Sequence, residues 1–181
     1  DVCSSDLGGD GDDTIFGDDG NDNINGSAGN NVIFGGNGND AVTDNNSAGV
    51  DTVDLGPGAD RFTVSLVASL NGTGPNVNMG ADADIDTLAL SNWAANSANQ
   101  AVVTHFTPGT GGDVLDISII QGIFTGWDGV SNLFGAGYMR ALQVGADTQI
   151  QADTNAATGG LSYITLATLL GVNVDSLVGA N

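Results

Sequence analysis

Residues Gly8 to Thr43 are four consecutive nine-residue units in unbroken register: GGDGDDTIF, GDDGNDNIN, GSAGNNVIF and GGNGNDAVT. Position 1 is Gly8, Gly17, Gly26 and Gly35, position 4 is Gly11, Gly20, Gly29 and Gly38, and position 6 is Asp13, Asp22, Asn31 and Asp40. Position 8 is always aliphatic: Ile15, Ile24, Ile33 and Val42. A fixed period of this kind restricts the chain to an architecture of stacked units, because one unit cannot bury its aliphatic side chain by itself. Each unit joins a Gly/Asp/Asn turn of about six residues to a strand of about three. Glycines at positions 1 and 4 admit backbone conformations that a Cβ blocks. Asp12, Asn21, Asn30 and Asn39 at position 5 are of the types that best tolerate a left-handed one. A disordered Gly/Asn/Asp linker shares the composition but has no reason to carry an aliphatic at every ninth residue.

With half a coil per unit, units one and three stack on one side and units two and four on the other. Position-6 residues then pair 18 residues apart, Asp22 with Asp40 and Asp13 with Asn31. The turn carbonyls face inward, and Asp at position 6 adds a hard carboxylate oxygen of the kind Ca2+ takes in sites of about six to eight oxygens. The Asp22/Asp40 pair is expected to bind more tightly, because Asn31 brings an oxygen without charge. The position-8 side chains are expected to form a thin core between two short sheets.

The pattern G-G-x-G-x-D-x-U-x resembles the calcium-binding β-roll of the repeats-in-toxin (RTX) family. The resemblance implies Ca2+ as cofactor and a roll that is unfolded without it. It places candidate metal positions at Gly8, Asp10, Asp13, Gly17, Asp19, Asp22, Gly26, Ala28, Asn31, Gly35, Asn37 and Asp40. Beyond Thr43 the register slips by two residues into the looser units NSAGVDTVD and LGPGADRFT, with Val53 and Phe62 at position 8. These read as the end of the roll, with weaker or no metal at Asp51 and Asp60.

All 22 acidic residues are Asp, there is no Lys, and Arg61 and Arg140 are the only cations besides His105, giving a formal charge of −20. Missing Glu and Lys removes the usual helix-surface residues, while Asp and 29 Gly favour turns and strands, so an all-β chain is expected. The charge argues against nucleic acid and anionic membranes as partners and fits divalent cations. No apolar run is long enough for membrane insertion, and no signal peptide is recognisable, so secretion would be directed from elsewhere. The first seven residues, DVCSSDL, read as a translated sequencing adapter and are set apart from the fold; they hold the single cysteine, Cys3, which makes no intrachain disulfide.

Further along, FTVSLVASL, an Ile85–Leu90 segment, AVVTHF, YMRALQV, DTQIQAD and LSYITLATLL read as strands, separated by NGTGPN, AANSANQ and TPGTGGD. Asp82, Asp84 and Asp86 alternate at a strand entry, which is either a solvated run or a further cation site. Trp127, Val130, Leu133 and Phe134 fall at helical spacing and suggest a short amphipathic helix. In DTQIQAD, Thr148, Ile150 and Ala152 share one face.

The stretch VVTHFTPGTGGDVLDISII resembles the entry of the type I secretion C-terminal target domain, through Phe106, Gly109, Asp113, Leu115, Asp116, Ile117 and Ser118. His105 stands where that family usually has Asp. Asp113 and Asp116 either hold a further calcium, or Asp116 caps a short helix through Ile117 to Gln121. The order G-A-D-T-x-I-x-x-D followed by an apolar strand and LLGV resembles the end of the same domain, which usually continues with a few further apolar residues.

The expected architecture is thus all-β: an RTX roll over residues 8–63 and a β-rich secretion domain over 64–181, truncated at its end, with one or two short helices. The expected function is calcium-triggered folding and export of a larger bacterial protein to the exterior or cell surface. Its partners would be calcium, the type I (ABC transporter) machinery and an upstream passenger domain. Alternatives are a structural segment of a surface-layer protein or adhesin, or the tail of a secreted hydrolase. No catalytic constellation is found: the one His lies in a predicted strand, with no G-x-S-x-G turn and no H-E-x-x-H helix.

Overall fold

A computed structural model describes residues 5–44, 49–65, 74–91, 100–118, 120, 124–153 and 162–177. The predicted loop AANSANQ apart from Gln100, residues 66–70 of the FTVSLVASL strand, and Ile119 and Gln121 of the proposed Ile117–Gln121 helix lie outside the described residues. The strands are β1 (Ser5–Leu7), β2 (Thr14–Phe16), β3 (Asn23–Asn25), β4 (Val32–Phe34), β5 (Ala41–Asp44), β6 (Thr52–Asp54) and β7 (Arg61–Ser65). They continue as β8 (Asn76–Asn78), β9 (Thr87–Ser91), β10 (Ala101–Thr104), β11 (Val114–Asp116), β12 (Met139–Val144), β13 (Asp147–Ala152) and β14 (Ile164–Leu169). A single turn of helix, α1 (Val174–Leu177), follows.

From β1 to β11 the chain winds as a parallel β-solenoid, so odd strands and even strands fall in different sheets. One sheet has the order β1-β3-β5-β7-β9-β11, and the other β12-β13-β14-β10-β8-β6-β4-β2. β2 pairs with β4 and β3 with β5 in parallel, which stacks alternate nonapeptides on opposite sides. Ile15, Ile24, Ile33 and Val42 all point between the sheets and are buried. Val53, Phe62, Val77, Leu88 and Val103 continue this core, and it joins Ile150, Leu166 and Val172 of the C-terminal segment in one cluster.

Parallel pairing does not stop at Thr63. β7 pairs with β9 and β9 with β11, while β6 pairs with β8 and β8 with β10. The inter-coil spacing lengthens from 18 to 20 and then to 26 and 27 residues along the β3 side. What survives is the short strand with one inward apolar residue; only the connections grow, at small entropic cost. The nonapeptide register detects turn length, so it fades before the ladder does. Ser5–Leu7 also joins the ladder, as the edge strand paired with β3, with Leu7 exposed.

At the far end β14 pairs in parallel with β10, and the hairpin β12–β13 adds antiparallel to it. Thr148, Ile150 and Ala152 are buried on one face of β13, and Gln151 on the other face is buried too, accepting from Arg140 and donating to Thr165. The helix expected around Trp127 to Phe134 is replaced by turns. Asp128 accepts the N–H groups of Val130 and Ser131, and Asn132 those of Phe134 and Gly135, so side chains take the donors a helix would use. Val130 is left 88% exposed. No helix among the described residues is long and apolar enough to cross a membrane.

Glycine usage also differs from expectation. The left-handed residues are at positions 2 and 4, including Asp18 (φ 67°) and Ser27 (φ 62°), and not at position 5. Position-1 glycines serve close approach: a Cβ on Gly17 would collide with the Gly35 carbonyl of the next coil.

Ile33 is fully buried between Ile15 and Val53 on the neighbouring coils. Ile33→Ala is expected to cost about 2–5 kcal/mol, with urea denaturation in saturating calcium as the measure.

Candidate metal centre

Two opposed sets of hydrogen bonds lace the coils together at the turns. Position-6 side chains accept a backbone N–H from the coil before: Asp13 N–H donates to Asn31 Oδ1 at 2.9 Å, Asp22 to Asp40 at 2.8 Å, Asn31 to Asp51 at 2.8 Å and Asp40 to Asp60 at 2.7 Å. Position-5 side chains accept from the coil after: Asn30 N–H donates to Asp12, Asn39 to Asn21, Val50 to Asn30 and Ala59 to Asn39. Asp12, on the surface, is held below the usual carboxylate range by the Asn30 N–H and side-chain amide.

The pairs expected from sequence are thus brought together, Asp22 beside Asp40 and Asp13 beside Asn31. Asn31 spends its amide on the Gly26 carbonyl at 2.9 Å, so it satisfies its own turn where Asp leaves an oxygen over. Asp13 Oδ2 and Asp40 Oδ2 are buried and meet no hydrogen-bond donor among the described residues, and the same holds for Asp60 Oδ2. Those of Asp13 and Asp40 face a cradle. A Cβ on Gly8 would lie 3.0 Å from Asp13 Oδ2 and 2.5 Å from the Gly26 carbonyl oxygen, and one on Gly35 would meet Asp40 Oδ2 at 2.7 Å and the Leu55 carbonyl. The residues at the third position, Asp10, Asp19, Ala28 and Asn37, form bridges between coils, Asp10 with Ala28 and Asp19 with Asn37.

This arrangement decides the character of the first coils. Residues 7–42 match the family model described as the RTX calcium-binding nonapeptide repeat, in four copies. The repeat segment is an RTX β-roll. No curated protein and no solved structure matches the chain. The donor set fits the ion implied by the RTX family: buried carboxylate oxygens lacking a donor, backbone carbonyls across a gap that only glycine leaves open, and no nitrogen or sulfur. Among the described residues no three His, Cys or Asp side chains form a metal cluster by themselves. A cation in the RTX turns therefore depends on carbonyl oxygens as well as Asp.

Beyond the RTX repeats, Asp51 and Asp60 are as buried as Asp40, at 0% and 2% exposure, because the lengthened spacing leaves the turn geometry intact. Asp86, outside the residues singled out as ligands, extends the same ladder. The Asp60 N–H donates to it at 2.8 Å, and the Asp86 N–H donates to Asp113 at 3.0 Å. The alternating run Asp82, Asp84, Asp86 was its signal in sequence, but spacing alone does not say which of the three turns inward. Asp113 and Asp116 do not come together. Asp113 also accepts the Thr107 N–H at 2.7 Å, while Asp116 pairs with Arg61 at 2.7 Å and accepts both donors of Ser118. The Ser118 hydrogen bonds, then Arg61, pull Asp116 down to about 2. Arg140 lies over the Tyr163 ring, 3.9 Å from its centroid, and donates to Gln151. His105 is exposed, with Nδ1 2.6 Å from Asn78 Oδ1.

Burial pushes Asp60 and Asp86 up to about 7, with repulsion from neighbouring carboxylates adding to it. Burial likewise raises Asp40. A carboxyl raised in the folded state contributes stability that is complete below its unfolded value of about 4 and lost as pH rises through about 7. In chelator the folded fraction is therefore expected to be larger at pH 5 than at pH 8, with calcium offsetting the difference; far-UV circular dichroism at the two pH values checks both.

Proposed function

We propose that this chain is a calcium-triggered folding and secretion module of a larger exported bacterial protein. The carrying observation is the set of buried Asp oxygens without donors in the RTX turns, in a chain that has no Lys and whose two Arg are engaged elsewhere. Calcium binds the folded coil by joining two successive turns, so binding free energy becomes folding free energy. With a Kd on the order of 0.1 mM and about 1 mM calcium outside the cell, each site supplies roughly 1.4 kcal/mol. Three or four sites supply about 4–6 kcal/mol, which is comparable with the whole stability of a small domain. At cytosolic calcium the same sites supply almost nothing, which leaves the chain unfolded for passage through a type I channel. In this reading the carboxylates of Asp13, Asp22, Asp40, Asp51 and Asp60 and the amide oxygen of Asn31 are ligands, and residues 64–181 act as the target domain read by the exporter.

A calcium titration by far-UV circular dichroism is expected to show a coil-to-β transition near millimolar calcium, absent with Mg2+ and weakened in Asp22→Ala/Asp40→Ala. A chain fully folded in chelator sinks the switch. For export, residues 8–181 fused to a reporter are expected to cross in cells carrying a type I exporter, and unchanged export after deletion of 64–181 overturns the secretory part.

A further inference from the structure

We propose that the cleft beside His105 binds an alkylammonium group, with the ring nitrogen Nε2 of His105 and the carboxylate of Asp82 as its acceptors. The cleft measures about 740 Å³ and lies where the turn after β8 and the residues after β10 face the segment between β14 and α1. The tautomer of His105 follows from a chain of hydrogen bonds. Asn78 Nδ2 donates to Asp54 Oδ1 at 2.9 Å, and a carboxylate only accepts, so the Asn78 amide has its Oδ1 on the other side. That oxygen takes the Gly80 N–H at 3.3 Å and lies 2.6 Å from His105 Nδ1, which therefore carries the proton. In the neutral ring Nε2 is then a bare acceptor, and it meets no donor among the described residues. His105 holds this position at φ 60°, in the left-handed region that a residue with a Cβ rarely adopts.

Asp82 belongs to the same cleft. A Cβ on Gly80 would lie 3.0 Å from Asp82 Oδ2, so this carboxylate reaches the glycine whose N–H shares Asn78 with the imidazole. Asp82 Oδ1 accepts the Asp84 N–H at 2.8 Å, and Oδ2 meets no donor among the described residues. Both open groups are acceptors, and the protein brings them no cation: Arg61 is held by Asp116, Arg140 lies over Tyr163, and the chain has no Lys. Asp84 and Asp86 follow in the same turn, so the cleft is negative within a chain of formal charge −20. Such a field rejects anions and favours a positive group carrying several N–H donors, which an ammonium presents at one point. Pro108 and Leu170, the latter 38% exposed, line the cleft and give an alkyl stem an apolar surface while its charged head meets the acceptors. One imidazole and one carboxylate fall short of the three protein ligands of a zinc site, so the cleft suits an organic cation better than a metal. The ammonium could come from a free alkylamine or from a lysine side chain of another protein, and the chemistry recognised is the same.

His105 is the only histidine, so its Cε1–H gives a single imidazole signal for titration by nuclear magnetic resonance. The full chain is titrated with n-butylammonium at pH 8, in saturating calcium and at constant ionic strength, which separates the result from the calcium switch. A saturable shift is expected in the wild type, with binding roughly tenfold weaker in Asp82→Asn. Asn at 82 still offers an oxygen to the Asp84 N–H, and circular dichroism checks that the variant folds. Asp18→Asn removes the same charge from an exposed turn on a distant coil and should match the wild type. Nitrogen-15 spectra of the neutral ring should show Nδ1 protonated and Nε2 bare. Nα-acetyl-lysine methylamide in a parallel titration distinguishes the sources: tighter binding than n-butylammonium assigns the site to a partner's lysine, and equal or weaker binding assigns it to free amines. A shift that does not saturate, an equal response to 1-butanol, unchanged binding in Asp82→Asn, or a neutral ring protonated at Nε2 each overturns the proposal.

Discussion

The structure depends on hydrogen bonds exchanged in both directions between successive turns. Position-6 side chains accept from the coil before, as in Asp22 N–H to Asp40, and position-5 side chains accept from the coil after, as in Asn39 N–H to Asn21. Each turn is thereby fixed to both neighbours without a helix or a long strand, and buried amides that have no strand partner are satisfied. The strands need to be only about three residues long, because the turns carry register that a longer ladder would otherwise supply.

That lacing has an electrostatic consequence. Using carboxylates as acceptors stacks like charges in buried turns: Asp40 and Asp60 each commit one oxygen to the ladder, and the other meets no donor among the described residues. Asn31 shows the neutral solution, turning its amide onto the Gly26 carbonyl. The remaining positions are Asp, and the core between the sheets is one aliphatic side chain deep per strand in the repeats. In the proposed calcium reading, a thin core and stacked charge are what would make folding conditional on a cation.

The C-terminal segment meets the other requirement of a solenoid, which is an end. β14 takes the place of one more parallel strand beside β10, and the antiparallel hairpin β12–β13 carries the sheet to an edge. On the second sheet the guanidinium of Arg61 spans to Asp116 on β11, so one of the two arginines is spent at the last strand of the coil. At this end the sheet is mixed, with two antiparallel pairings beyond the parallel β10–β14 pair.

The sequence by itself determined the coil, its handing of alternate units to alternate sheets, the buried Ile15, Ile24, Ile33 and Val42, and the pairing of Asp22 with Asp40. These follow from a period, and a period is a local property that needs no knowledge of distant contacts. Tertiary structure decided how far the coil runs. Asp86 and Asp113 join the ladder across 26 and 27 residues, where no fixed spacing marks them, because a strand pairs by geometry and not by the length of chain that leads to it. It also decided against the helix near Trp127, where Asp128 and Asn132 capture the backbone donors, and it separated Asp113 from Asp116, whose proximity in sequence had suggested a shared ion. Adjacent residues on a strand point to opposite faces, and residues three apart at its entry are divided between turn and sheet, so closeness along the chain did not become closeness in space.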